Sequence, residues 1–228
     1  MTLLNSATHK NLLIQILKDL YTNTQIGPFL GFKGSTAVYI FYQLDRFSVD
    51  LDFDLLDESK KNEVFSLVEK TLKPYGVLKD AKMKRSSLFF LLSYEENTHN
   101  IKVEINLRNF DSRYELKNYL GISMLVMVRE DIFSHKLVVM FERLGKANRD
   151  IYDVHFFLKN RWPINTKIIE KRTSLSFPNF LKKCAVSLSK LSNRNILNGI
   201  GELLAPSQKN WVKVHLLEDT IFLLKTRE

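Results

Sequence analysis

Lys33-Gly34-Ser35-Thr36-Ala37 and, after a short apolar segment, Leu44-Asp45-Arg46-Phe47-Ser48-Val49-Asp50-Leu51-Asp52-Phe53 decide how this chain is read. From Ser48 to Leu56 the residues alternate: Val49, Leu51, Phe53 and Leu55 against Asp50, Asp52 and Asp54. A period of two is that of a half-buried strand, so the spacing predicts Asp50 and Asp52 on one face. Two carboxylates so placed can share a pair of divalent metal ions that clamp the attacking and leaving oxygens of a phosphoryl transfer. Magnesium accepts few protein carboxylates, because substrate phosphates complete its shell. Just upstream, Ser35 to Tyr42 reads as a helix with Ser35 or Thr36 as N-cap. Its Gly34-Ser35 start offers backbone N–H groups and a hydroxyl to a triphosphate. Each feature alone is commonplace, and a D-x-D pair is most often a solvated face. The combination is rarer.

Working outward, Thr8 to Tyr21 forms a first amphipathic helix and Phe29 to Phe32 a short apolar run. Ser59 to Leu72 is a helix stopped by Pro74 and Gly76. Ser87 to Tyr94 and Ile101 to Leu107 read as strands joined by the polar turn Glu95 to Asn100. Met124 to Val128 is a further short strand. Beyond Arg129 the pattern is helical, over Asp131–Leu144, Arg149–Leu158, Phe177–Leu191 and Trp211–Leu224. The chain is therefore expected to be α+β: a mixed-sheet lobe over residues 1–112, then a mainly helical lobe over 113–228.

The 228 residues are 45% hydrophobic and 26% charged, the make-up of a globular protein with a real core. Cys184 is the sole cysteine, which excludes an internal disulfide and a thiolate metal cluster. The five histidines show no metal-ligand spacing. No apolar stretch is long enough to cross a bilayer, and Met1 to Leu20 reads as an amphipathic helix, not a leader, so a cytoplasmic protein is expected. The charge is +9, and from Lys159 to Glu228 there are 13 Lys and Arg against 5 Asp and Glu. Such a basic C-terminal third suits a polyanionic partner such as RNA, or simply a solvated helical surface.

The block Lys33 to Ala37 with Leu44 to Phe53 resembles the signature of AbiEii-type nucleotidyltransferase toxins, in the polymerase-beta-like nucleotidyltransferase superfamily. A second block strengthens the likeness: Lys136 after His135, then Arg143, then Arg149-Asp150-Ile151-Tyr152-Asp153. The likeness covers about residues 30–158, and His135 stands where family members often carry Glu. It implies a nucleotidyltransferase lobe followed by a helical lobe that contributes Lys136 and Asp153 to the site. It also implies NTP as substrate with two magnesium ions, transfer to tRNA ends, and a cognate antitoxin in a type IV toxin–antitoxin or abortive-infection system. Nucleotidylation of a protein or small molecule, and a non-catalytic nucleotide-binding module, stand as the other readings.

Within that frame Asp50 and Asp52 hold metal, while Gly34, Ser35, Thr36 and Lys136 contact the triphosphate. Superfamily members commonly add a third carboxylate from a neighbouring strand, as metal ligand or base. Glu104, on the polar face of Ile101 to Leu107, fits that role, although Lys102 and Arg108 share its face and offer an ion-pair explanation. Arg46 either holds its turn or contacts phosphate. Ser48 supports Asp50, and Asp54 is read as solvated or supporting. Asp150 and Asp153, three apart on a helix, either orient Lys136 or, for Asp153, accept a proton. The macrodipole alone would also favour such carboxylates at a helix start.

Overall fold

The computed structural model describes residues 5–96 and 99–227. The expected turn Glu95 to Asn100 includes Asn97 and Thr98, and the expected N-terminal helix includes Met1 to Leu4, which lie outside the described residues. The chain divides into two compact units, Met1–Asn109 with Tyr114–Met127, and Phe110–Arg113 with Val128–Glu228.

Helix α1 (Ser6–Thr22) opens the first unit, capped by the Asn5 side chain, which accepts from the Thr8 amide at 3.2 Å. Strand β1 (Leu30–Lys33) runs directly into helix α2 (Gly34–Phe41), and β2 (Leu51–Leu55) returns antiparallel to β1. Helix α3 (Lys61–Leu72), β3 (Val77–Met83), β4 (Ser87–Ser93), β5 (Ile101–Asn106), β6 (Tyr114–Tyr119) and β7 (Ile122–Met127) complete it. The seven strands lie in the order β3-β4-β5-β2-β1-β7-β6, with β2–β5 and β1–β7 parallel and the other pairs antiparallel. Leu51, Phe53, Val103, Ile105, Leu88, Phe90 and Leu92 share one apolar core with Leu13, Ile16, Leu17 and Leu20 of α1 and Val64, Val68 and Leu72 of α3. Period two on the strands thus turns one face inward and leaves the alternate residues for the other.

Two strands escape the alternation argument. β3 is exposed along most of its length and β6 is a half-exposed edge, so neither carries an apolar stripe. Because β6 and β7 pair with each other and β7 pairs with β1, residues 114–127 belong to the sheet unit. The boundary drawn at 112/113 cuts that hairpin away from the sheet to which it is hydrogen-bonded.

The second unit holds helices α4 (Arg129–Glu142), α5 (Asn148–Lys159), α6 (Thr166–Thr173), α7 (Phe177–Leu188) and α8 (Pro206–Lys225). Phe133 and Phe157 are fully buried, and Phe157 stacks on Trp162 with centroids 4.4 Å apart. Cys184 is a core residue whose thiol burial pushes to a pKa of about 12. No helix among the described residues is long and apolar enough to cross a membrane.

His9, on α1, is fully buried and fastens the segment leading into β2. Its Nε2 lies 2.9 Å from the Val49 carbonyl, which can only accept, so Nε2 carries the proton and Nδ1 accepts from the Tyr94 hydroxyl at 3.0 Å. Burial lowers the His9 pKa from 6.5, and the nearby His99 acts the same way, against the Val49 hydrogen bond and Asp50. The folded state therefore takes up this proton less readily than the unfolded chain. The contribution of neutral His9 is complete above about pH 6.5 and lost as the pH falls below it. The melting temperature of the wild type should fall more steeply from pH 7 to 5.5 than that of His9→Gln, and parallel curves in calorimetry would refute this assignment.

Candidate active site

The polar face of the sheet is built in register. Lys33 lies opposite Asp52, Asp52 opposite Glu104, Glu104 opposite Phe89 and Phe89 opposite Lys82, which puts all five on one side. Asp50 immediately precedes β2, whose regular pairing begins at Leu51 and not at Ser48. Three carboxylates gather around one ammonium: Lys102 Nζ is 3.1 Å from Glu104, 3.6 Å from Asp52 and 4.0 Å from Asp50. Asp52, then Asp50 and Glu104, raise the Lys102 pKa above that of an ordinary lysine, against the opposing effect of burial. Glu104 also accepts from the Ser87 hydroxyl at 2.9 Å. Lys102 was legible as a neighbour of Glu104 on the polar face, but its reach to the β2 carboxylates needed the parallel β2–β5 register.

The start of α2 lies against the same carboxylates. Gly34 has φ +78°, and a Cβ there would come within 2.6 Å of Asp52 Oδ2, so both conformation and space require glycine. The helix begins at Gly34, one residue earlier than expected, and Lys33 occupies the N-cap position without a side-chain cap bond. Thr36 is buried inside the helix instead of capping it. Its hydroxyl donates to the Asp50 backbone carbonyl, and the Ser48 hydroxyl sits 2.8 Å away with its own proton available to Thr36. Ser48 and Thr36 thus hold the backbone of Asp50. Arg46 is 2% exposed and donates to the Phe47 carbonyl at 2.8 Å, which favours holding the turn over contacting phosphate.

Asp54 is not solvated. It is 7% exposed and accepts from Lys33 Nζ at 2.5 Å, Asn106 Nδ2 at 2.6 Å and the Tyr114 hydroxyl at 2.5 Å. The Tyr114 ring lies over Gly31, where a Cβ would collide with ring carbon Cε1. Asp54 therefore locks β1, β2, β5 and β6 together beside the site.

In the helical unit Lys136 Nζ lies 3.1 Å from both Asp150 and Asp153, whose side chains are 1% and 0% exposed, and Arg143 lies 3.2 Å from the second Asp150 oxygen. Both carboxylates thus hold the Lys136 ammonium in place, as the orienting reading requires. His135, at the position where Glu was expected, bridges Ser112 Oγ at 2.7 Å and Arg172 Nη1 at 3.1 Å. The guanidinium can only donate, so Nδ1 accepts and Nε2–H faces Ser112.

A family model for the nucleotidyl transferase AbiEii toxin of type IV toxin–antitoxin systems matches residues 15–176. The chain belongs to this family and is a nucleotidyltransferase. Two solved structures are similar to it: a putative nucleotidyltransferase from Helicobacter pylori (20% identity, 98% of this chain and 97% of that one, TM-score 0.56), and JHP933 from the same species (22% identity, 99% and 96%, TM-score 0.57). At these identities they show the α+β fold with its helical C-terminal part. No curated protein matches the sequence.

The family generally uses NTP and divalent metals, and the donors here suit a hard cation: carboxylate oxygens already drawn to a positive charge. Among the described residues, however, no group of three His, Cys, Asp or Glu is arranged to hold a metal ion. Lys102 reaches all three expected carboxylates, Asp50, Asp52 and Glu104, and Glu104 also accepts from the Ser87 hydroxyl.

Removing the shared cation leaves three facing carboxylates. Lys102→Met should cost about 1–3 kcal/mol in metal-free, low-salt buffer. Millimolar magnesium should recover more of that loss than it adds to the wild type. Calorimetry with and without magnesium checks this, and equal gains in both proteins would show that the ammonium and the metal do not share these carboxylates.

Proposed function

We propose that this AbiEii-family enzyme transfers a nucleotidyl group from NTP, with magnesium, to the 3′ hydroxyl of an RNA acceptor, tRNA foremost, releasing pyrophosphate. The observation that carries the reading is the abutment of Asp52 against the glycine start of α2, with Asp50 tied by Thr36 to the same helix. This contact supports reading the two carboxylates as metal ligands beside phosphate donors at the start of α2.

Asp50 and Asp52 would hold magnesium, which when bound would supply charge neutralisation to the phosphates. Gly34 lets the backbone approach a phosphate closely, and Ser35 with the first-turn amides of α2 holds the triphosphate tail. Thr36 and Ser48 fix Asp50, limiting its motion during the in-line displacement. Within the helical unit Lys136, whose position Asp150 and Asp153 set, is the candidate cation for a phosphate group. Support for RNA comes from the basic surplus of residues 159–228, where Lys182 and Lys183 of α7 are exposed. As a toxin-family enzyme it would act alongside a cognate antitoxin.

The test is incubation of the purified protein with magnesium, each labelled NTP, total RNA and lysate protein. Label should enter RNA, and label entering protein alone would overturn the choice of acceptor. Asp50→Asn and Asp52→Asn should each reduce transfer by about a thousandfold or more. Both should keep a cooperative unfolding transition, since loss of one like charge relieves repulsion. Near-normal turnover in either variant would refute the metal-pair assignment.

A further inference from the structure

Beyond Glu104 the catalytic row continues onto a surface to which no role has been given. Phe89 of β4 sits directly opposite Glu104 and is only partly buried. Its neighbour across the next pair is Lys82, and Lys84 Nζ stands 3.7 Å above its ring centroid, with Lys82 Nζ at 5.5 Å. Arg85 is exposed in the same hairpin. Between Lys79 and Arg85 there are four basic residues against one acid, Asp80, which pairs with Lys82 at 2.5 Å. With strands about 4.8 Å apart, Phe89 lies about 5 Å from the Glu104 strand and about 10 Å from that of Asp52.

Lysines on an edge strand discourage pairing with another sheet, and β3 is such an edge. That accounts for Lys79 and Lys82. It does not account for an aromatic ring left on the polar face in the row of the carboxylates, with a cation over it.

We propose that Phe89 with Lys82, Lys84 and Arg85 is a docking platform for the terminal nucleotides of a single-stranded RNA acceptor. Phe89 takes a base by stacking, and the three cations take the flanking phosphates. Single-strand binders combine these two elements, a π-face for any base and a basic track for the backbone. Lys84 makes the platform self-covering: its cation–π hold on Phe89 is weaker than base stacking, so an incoming base displaces the ammonium toward the phosphate beside it. The platform extends the RNA-acceptor reading above by naming where the acceptor's end is gripped, and it rests on that reading.

The probe is a fluorescein-labelled single-stranded RNA hexamer, titrated by anisotropy without NTP. Phe89→Leu keeps an apolar side chain on the sheet and should retain the wild-type melting temperature. It should weaken hexamer binding about tenfold while leaving the salt slope unchanged. The triple change Lys82→Gln, Lys84→Gln, Arg85→Gln should instead lower the slope of log K against log salt by about 2. In the transfer assay Phe89→Leu should raise KM for RNA and leave KM for NTP alone. Wild-type affinity in Phe89→Leu, an unchanged slope in the triple variant, or no hexamer binding by the wild type would each overturn the proposal. A rise in KM for NTP alone would assign the ring to the incoming nucleotide and would also overturn it. If label enters protein and not RNA, the acceptor reading fails, and the hexamer titration still judges the platform separately. If RNA is labelled and Phe89→Leu behaves as wild type, only the platform fails.

Discussion

Crowded negative charge on one face of the sheet is the constraint to which the first unit answers. Asp50, Asp52, Asp54 and Glu104 all lie on or beside two neighbouring strands. At about 5 Å, two like charges repel by about 3 kcal/mol even at the effective dielectric of a protein surface. The fold meets this in two ways. Asp54 is closed off: buried, with donors from Lys33, Asn106 and Tyr114 filling both oxygens. The other three share a single lysine at 3.1 to 4.0 Å and keep more exposure. The first cluster gives rigidity, and the second sets three carboxylates around one positive charge.

The helical unit solves the same problem with different pieces. Asp150 and Asp153 stand on one face of α5, and Lys136 from α4 reaches both, with Arg143 on the far side of Asp150. A lysine held by two buried carboxylates cannot wander, so its charge is delivered at a defined place. The neighbouring His135 shows how a departure from the family pattern is absorbed. Its acceptor nitrogen meets Arg172, whose other amino group goes to Glu142, and its donor nitrogen meets Ser112. A carboxylate at that position could serve the same guanidinium, so the substitution changes the partner's charge balance without emptying the position.

Much of this was legible because it depends on periodicity. The D-x-D alternation set Asp50 and Asp52 against the apolar residues of β2, and α4, α5, α7 and α8 overlap their expected spans, whereas the short α6 was not anticipated. What escaped depends on pairing. β3 and β6 are exposed edges whose residues answer to a neighbour's hydrogen bonds and not to a core, so no stripe marks them. Whether Asp54 was solvated or supporting could not be read from the sequence, because its partners arrive from β1, β5 and β6 and are 21, 52 and 60 residues away. Ser35 or Thr36 was the expected cap, because local propensity favours either there. The backbone of Asp50, brought alongside by the β1–β2 connection, took the Thr36 hydroxyl instead.

The glycines of β1 and α2 show how the two charge arrangements are joined. At Gly31 the backbone is bare so that the Tyr114 ring can lie on it and reach Asp54. At Gly34 it is bare so that the Asp52 carboxylate can lie against the first residue of α2. The positive end of a helix favours that carboxylate, and it equally favours a phosphate. In the proposed reaction both anions compete for the same amides, and a triphosphate drawn to α2 would meet Asp52 head-on. Such a contact is stable only with a cation between the two oxygens. In the reaction proposed above, metal and nucleotide would therefore bind as one neutralised unit, because a single glycine sets the Asp52 carboxylate against the first residue of α2.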